Sequence, residues 1–323
     1  MYQAIRSGHL VFYLAVNPTL KYSGNGTESK HQTLDLIPKE FKPKSILLCT
    51  PQPIHEVEAS LKEHKINFPL IAKPDVGFRG FLVKKIDTLE ALASYLKQNN
   101  IPTILQEYID YPQECGIFYH RIPGEETGKI TSITLKKFLT VTGDGNSTLR
   151  QLIETDERAF IYIDLLEKLH SGRLDHIVEN GKEIQLSVIG NHSKGTAFIN
   201  GNHLISKELE ESIDRFSKTI DQWYYGRLDL KFNDFDELSR GQGFKVLEIN
   251  GIISEPTHIY DPSKSTYFSA LATLRKHWKL ISIIARKNHS AYGTPYPAFF
   301  PYIKNMLWLR KYSKKLKRLN KLA

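Results

Sequence analysis

Gly226-Arg227-Leu228-Asp229, followed after a polar insert by Phe244-Lys245-Val246-Leu247-Glu248-Ile249-Asn250, carries more information about this chain than any other part of it. Each segment reads as a strand, so by period two Arg227 and Asp229 project to one face of the first and Glu248 and Asn250 to one face of the second. If the strands are neighbours, two carboxylates, an amide and a guanidinium converge. A hard cation such as Mg²⁺ takes carboxylate and amide oxygens and keeps its other positions for water and phosphate. A guanidinium beside it forks onto a phosphate and absorbs charge that develops during transfer. Carboxylates at strand edges are more often simply solvated, so the pattern needs support from elsewhere.

That support lies upstream. Leu70-Ile71-Ala72-Lys73-Pro74 is a short apolar strand ending in a lysine, and Asp75-Val76-Gly77-Phe78-Arg79-Gly80 leads to a second expected strand over 81–86. Gly77 and Gly80, flanking Arg79, let backbone N–H groups approach phosphate oxygens, and Lys73 adds a point charge at the base of the loop. An ordinary glycine hairpin has the same look. No G-K-[ST] closes the loop and no helix opens behind it, which excludes a Walker loop and a dinucleotide fingerprint. Next, Ile104-Leu105-Gln106-Glu107-Tyr108-Ile109 runs as a strand into Asp110-Tyr111-Pro112-Gln113-Glu114. Such a strand offers backbone donors and acceptors to a purine edge, and a carboxylate like that of Glu114 accepts from ribose hydroxyls.

These pieces, in this order, resemble the ATP-grasp superfamily, and within it the D-alanine–D-alanine ligase-like group. The match spans roughly residues 68 to 262. The resemblance implies an α+β fold of two lobes gripping ATP, with Lys73 on the α/β-phosphates and the loop of Gly77, Arg79 and Gly80 over them. It implies Gln106, Glu107, Tyr108 and Ile109 along the adenine and Glu114 on the ribose. It places Arg227 at the transferring phosphate and Asp229, Glu248 and Asn250 on Mg²⁺. After Asn250 the chain continues Gly251-Ile252-Ile253-Ser254-Glu255-Pro256-Thr257-His258, unlike the D-alanine ligases, which implies a different substrate pocket. Val141-Thr142-Gly143-Asp144-Gly145-Asn146-Ser147 instead resembles a run in the cyanophycin-synthetase and glutamate-ligase-like branches. Its Gly-Asp-Gly-Asn turn reads either as a substrate clamp or as a cap for the helix that Ser147 opens. Lys136 and Lys137 precede it; strand alternation lets only one reach a phosphate, and Lys136 is the candidate.

Composition agrees with a folded enzyme. The chain has 323 residues, 41% of them hydrophobic, enough for a substantial core. Two cysteines, Cys49 and Cys115, make no disulfide framework and no C-x-x-C pair, which points to a reducing cytoplasm. The apolar run 10–16 is too short for a membrane span and reads as a strand. Further strands are expected at 45–49, 130–142 and 186–190. Helices are expected at 54–65, from Asp87 as N-cap to 97, from 147 to 169, and at 207–223. The glycine-bracketed turn 190–196 suits an anion or a plain surface loop, and His192 is more simply a solvent-facing histidine than a base.

The formal charge of +9 is concentrated at one end: residues 301–323 hold Lys304, Arg310, Lys311, Lys314, Lys315, Lys317, Arg318 and Lys321 and no acid. The run reads as a solvated tail, as an interfacial segment drawn to an anionic membrane surface, or as a nucleic-acid contact, although no aromatic-basic recognition motif accompanies it. The expected division is a short N-terminal subdomain (1–67), a small lobe with the glycine loop (68–109), a large lobe with the metal site (110–290) and a basic tail (291–323). The expected activity is an ATP- and Mg²⁺-dependent ligase joining small-molecule carboxylate and amine substrates. A small-molecule kinase on the same fold and a nucleotide-gated binding protein are the alternatives.

Overall fold

The computed structural model describes residues 2–322 and is α+β, built on antiparallel sheets. The chain divides into a larger unit, residues 1–135 with 200–323, and a smaller one, residues 136–199. In the larger unit β1 (Ser45–Leu48), β2 (Leu70–Pro74), β3 (Lys84–Ile86) and β4 (Thr103–Glu107) pair antiparallel in the order β1-β4-β2-β3. The helices Ile54–Glu63 and Leu89–Gln98 cover this sheet. Val57 and Leu61, one helical turn apart, and Leu92 and Tyr95 close on Ile46, Leu70, Ala72, Ile86 and Leu105. The second helix is capped by Thr88, whose side chain accepts from Ala91 N, one residue later than the Asp87 cap expected.

Two strands follow, β5 (Gln113–His120) and β6 (Lys129–Lys137), before the chain enters the smaller unit with β7 (Thr140–Thr142), β8 (Glu183–Gln185) and β9 (Ala197–Asn200). It returns to the larger unit and forms β10 (Tyr225–Phe232) and β11 (Phe244–Asn250). There β11, β10, β5 and β6 are neighbours in that order, again antiparallel. One face of this sheet packs on the helix Lys207–Lys218 through Leu209, Ile213 and Phe216 at helical spacing, with Leu228, Leu230, Phe232, Val246 and Trp223 around them. Trp223 stacks on Tyr119 at 5.7 Å between ring centroids. Each such fully buried side chain contributes about 1.5–3 kcal/mol of transfer free energy.

The smaller unit has its own core of Leu139, Val141, Leu149, Ile153, Leu166, Leu174, Val178 and Leu186. The long helix expected from 147 to 169 is three short ones, Leu149–Thr155, Glu157–Phe160 and Ile163–Leu169. Asp156 breaks it, extended and capping the second helix by accepting from Arg158 N and Ala159 N. Strand 130–142 is interrupted at Phe138 and Leu139, and the strand expected at 186–190 lies earlier, as β8.

The run 10–16 is not a strand. Phe12–Ala15 is a 3₁₀ turn, and Phe12, Ala15 and Val16 are buried against Ile281, Ile284 and Ala285 of the helix Tyr267–Tyr292. An apolar run with no polar partner positions buries equally well in either conformation. Asn17 ends it, fully buried and fully bonded. Its Nδ2 donates to Tyr225 O (2.8 Å) and Ser23 O (3.3 Å), and its Oδ1 accepts from Tyr224 N (2.8 Å) and Tyr225 N (3.0 Å). The N-terminal segment is thereby stapled to the start of β10.

The basic end is an ordered helix, Phe299–Leu322, rather than a solvated tail. Tyr302, Leu309 and Leu316, seven residues apart, form its buried seam. Leu316 packs with Leu82 and Ile101, and Asn320 Oδ1 accepts from Leu82 N at 2.9 Å. Phe300, Leu307, Lys304, Lys311, Lys314 and Arg318 face solvent. Among the described residues no helix is long and apolar enough to cross a membrane.

Candidate nucleotide and metal site

The register of β10 on β11 sets Arg227 opposite Asn250 and Asp229 opposite Glu248. The four side chains that alternation singled out therefore lie side by side on the face of the sheet away from the helical core. The pairing holds only because the strand is irregular: the register slips between Asp229 and Leu230, leaving Leu247 as an extra residue. Phe244 and Val246 point into the core, yet Glu248, two residues on, points to the opposite face. Without the bulge, strict alternation would bury Glu248 with Val246.

Arg227 forks onto Asp229, Nε to Oδ1 at 3.0 Å and Nη2 to Oδ2 at 2.9 Å, and Asn250 Nδ2 donates to the same Oδ2 at 2.9 Å. Burial disfavours the guanidinium charge, but Asp229 outweighs it and holds the group above the ordinary arginine range. The remaining arm, Nη1, donates to Glu255 O at 3.1 Å. Gly116 on β5, opposite Asp229, makes this possible, because a Cβ there would stand 2.9 Å from Arg227 Cδ and 3.2 Å from Asp229 Oδ1. Asp229 and Glu248 with the amide of Asn250 form an oxygen-rich donor set of the kind Mg²⁺ takes. Among the described residues there is no cluster of three or more His, Cys, Asp or Glu with metal-holding geometry, so the amide would be an essential member of the set.

Lys73, on β2, is 8% exposed and reaches across to the bulge, Nζ to Leu247 O at 3.3 Å. Burial draws its pKa down to about 8, against the attraction of Glu248 and with the repulsion of Lys30. A lysine that titrates below its ordinary 10.5 in the folded chain disfavours folding while charged, and that penalty lifts as pH rises from about 8 to 10.5. Relative to Lys73→Met, wild-type stability should therefore climb across this window by on the order of 3 kcal/mol. Urea midpoints at pH 7.5 and 10.5 measure it, and parallel profiles for the two proteins would remove the buried-lysine assignment.

The glycine loop departs from the expected hairpin. Only Lys84–Ile86 is strand, while Arg79, Gly80 and Leu82 all have positive φ (56°, 65° and 57°), coiling residues 79–83 into turns. Gly77 sits against Pro74, and the exposed Arg79 lies near enough to Tyr260 to oppose the rise of its pKa to about 12, which comes from burial and a bond to Glu255. Gln106 is buried in β4. Glu107 is bonded to Lys44 on both counts, its carboxylate accepting from Lys44 N at 3.0 Å and its own N–H donating to Lys44 O at 2.8 Å, so neither group is open to a ligand. The Tyr108 ring lies between Lys85 and Lys231, at 4.7 and 5.2 Å from the two Nζ atoms, and Lys231 donates to Ile109 O at 3.0 Å. Glu114, 7% exposed, stands opposite Lys231 in the β5–β10 register and attracts its charge. Lys136 is half-buried on β6, as the first residue of the smaller unit.

Within the smaller unit the two turns marked in the sequence have structural employment. Asp144 accepts from Asn146 N (2.8 Å), Ser147 N (2.6 Å) and Ser147 Oγ (2.6 Å), bonds that hold its carboxyl down at about 2. The Gly-Asp-Gly-Asn turn is thus braced against the following helix, which Thr148 caps with Gln151 in a reciprocal box. The 190–196 turn presents Gly195 O and Thr196 O to Arg158, at 2.8 and 3.0 Å.

One residue at the centre went unmarked in the sequence. Lys30 is ion-paired with Glu248. It arrives through the loop 23–29, which lies on the chain just after β11: Ile252 N donates to Ser23 O (3.0 Å) and Ile253 N to Gly24 O (3.1 Å). Gly24, at φ 75°, touches Gly251 so closely that a Cβ would stand 2.6 Å from the Gly251 Cα. The signal available was the polar, glycine-bracketed run 24–30, which resembles many surface loops.

The structure is similar to ligases of the D-alanine type. A D-alanine–D-alanine ligase from Bacillus anthracis aligns at 16% identity and a TM-score of 0.47, over 84% of this chain and 72% of that one, and that enzyme has also been solved complexed with ATP. The VanG D-Ala:D-Ser ligase from Enterococcus faecalis aligns at 14% identity and a TM-score of 0.44, over 82% and 63%. A bifunctional glutathione synthetase from Pasteurella multocida aligns at 16% identity and a TM-score of 0.39, over 77% of this chain and 36% of that one. The chain thus spans about a third of the synthetase and under two thirds of the VanG ligase. No protein-family model matches the chain, and no curated protein matches it.

Proposed function

We propose that the chain is an ATP-grasp enzyme using ATP and Mg²⁺ to join a carboxylate to an amine through an acyl phosphate. The observation that carries this reading is the register pairing of Arg227 with Asn250 and of Asp229 with Glu248, with Lys73 closing onto the bulge at Leu247 beside the second pair. Asp229, Glu248 and Asn250 would hold the metal, whose contribution is to neutralise and orient phosphate oxygens. Arg227, already desolvated and oriented, supplies positive charge where charge develops on the transferring group, and needs little reorganisation to do so. Lys73 would hold the α/β-phosphates. Gln106, the segment from Glu107 to Ile109, and Glu114 would line the nucleoside, beside the Tyr108 ring. Phosphoryl transfer asks for positioning and charge neutralisation rather than a protein nucleophile, which fits a site of this composition.

An acyl phosphate is an electrophile and a phosphate ester is comparatively inert, so one trapping experiment separates the ligase from a kinase. With ATP, Mg²⁺, a fractionated metabolite extract and hydroxylamine in place of the amine, a hydroxamate should accumulate and be identified by mass. A stable phosphorylated metabolite without hydroxamate would replace the ligase by a kinase on the same nucleotide site.

A further inference from the structure

Lys30 belongs to none of the motifs that suggest the activity, yet its ammonium reaches the middle of the site. Its backbone is held firmly. Ser29 Oγ and His31 N donate to Asp75 Oδ1 at 2.8 and 3.0 Å, and Lys30 N donates to Asp75 O at 3.0 Å. Asp75 is buried and directly follows Pro74 at the root of the glycine loop, so the segment bearing Lys30 is tied both to that loop and, through Gly24 and Gly251, to the end of β11. The side chain is 16% exposed and paired with Glu248, with Glu28 and Asp229 also attracting its charge and Lys73 close enough to be repelled. Glu28 itself is turned back, accepting from Gly26 N at 2.7 Å.

A desolvated ammonium whose carboxylate is taken by another cation is costly unless a new anion replaces it. A cation entering between Asp229 and Glu248 would compete for the carboxylate that Lys30 holds. The incoming anion is a phosphate oxygen on geometric grounds: Lys30 stands among Lys73, Asp229 and Glu248, whereas Tyr108, Glu114 and Lys231 make up the expected nucleoside end. We infer that Lys30 exchanges partners, neutralising Glu248 in the nucleotide-free protein and binding the terminal phosphoryl group of the nucleotide once that carboxylate is engaged. The inference rests on the metal role proposed for Glu248. It makes the N-terminal segment part of the phosphate site, and gives the protein a preference for a triphosphate that Lys73 and the glycine loop alone would not supply.

Mn²⁺ binding followed by electron paramagnetic resonance, alone and then with ADP or the non-hydrolysable analogue AMPPNP, tests this in wild type and Lys30→Met. Loss of the competing ammonium should tighten Mn²⁺ alone by about tenfold; Mn-AMPPNP should weaken by about tenfold and Mn-ADP change less than about threefold. Lys30→Gln, which keeps a hydrogen-bond donor toward Glu248, is the second uncharged variant and should show the same opposed shifts, so that a folding defect in either leaves the other to decide. Unchanged Mn²⁺ affinity, or equal losses for the diphosphate and the triphosphate, overturns the exchange while leaving the metal site standing. Failure of the wild type to bind Mn²⁺ with or without nucleotide overturns the metal site and the exchange together.

Discussion

Asp229→Ala is expected to destabilise the protein by about 3–5 kcal/mol, because it leaves the Arg227 guanidinium buried without its counter-charge. The cost comes from the partner left behind rather than from the contact removed. Both side chains are well under one-third exposed, and both Asp229 oxygens are engaged by the fork. Removing both charges, in Asp229→Ala combined with Arg227→Met, should therefore recover a large part of the loss. Urea unfolding of the two single variants and the double variant forms the cycle that measures this coupling. Additive single and double losses would show that the pair is solvated in solution and that Arg227 is not the pre-oriented cation described above.

Glu248→Gln should have a different profile: a smaller loss of stability, since Lys30 keeps a hydrogen-bond partner but loses its counter-charge, and a large loss in function. The amide keeps the volume and an oxygen for Lys30, but it removes the charge that makes Glu248 a ligand for a hard cation. Metal-dependent nucleotide binding should fall by at least the ~10–100-fold that loss of an outer partner of a metal ligand costs, and turnover with it. Calorimetry with ATP in the presence and absence of Mg²⁺ reads this directly. A variant that binds Mg-ATP as wild type does would take Glu248 out of the metal set, and with it the functional reading built on the strand pair.

Much of the β10–β11 site is legible in the sequence because charged residues at period two on otherwise apolar strands are costly to bury unless they gather on one polar face. Arg227, Asp229, Glu248 and Asn250 share a face as alternation requires within each segment. What alternation could not supply is the bulge at Leu247, since Val246 and Glu248 have the same parity and opposite fates. Lys30 was hidden for a different reason. Its importance comes from tertiary contacts with Asp75 and Glu248, and locally it is one charge in a polar loop. The 10–16 run failed because burial on several sides erases the periodicity that separates strand from helix. The C-terminal helix carries a seven-residue apolar spacing at Tyr302, Leu309 and Leu316, but the density of lysine and arginine around that seam draws attention to the solvent face instead.

The contact of Leu82 with that helix also bears on how the protein is made. The Leu82 amide finds its acceptor on Asn320, 238 positions further along, and Leu82 shares its hydrophobic cluster with Leu316. Closing so long a loop costs entropy that local contacts cannot offset in advance, so pairings of this kind form late. A ribosome adding residues in order would have released β2, β3 and β4 long before the helix that completes the glycine loop existed. Until then Leu82 and Ile101 would stay uncovered, a sticky surface on an otherwise folded lobe, and that interval is when a nascent chain of this protein would most need a chaperone.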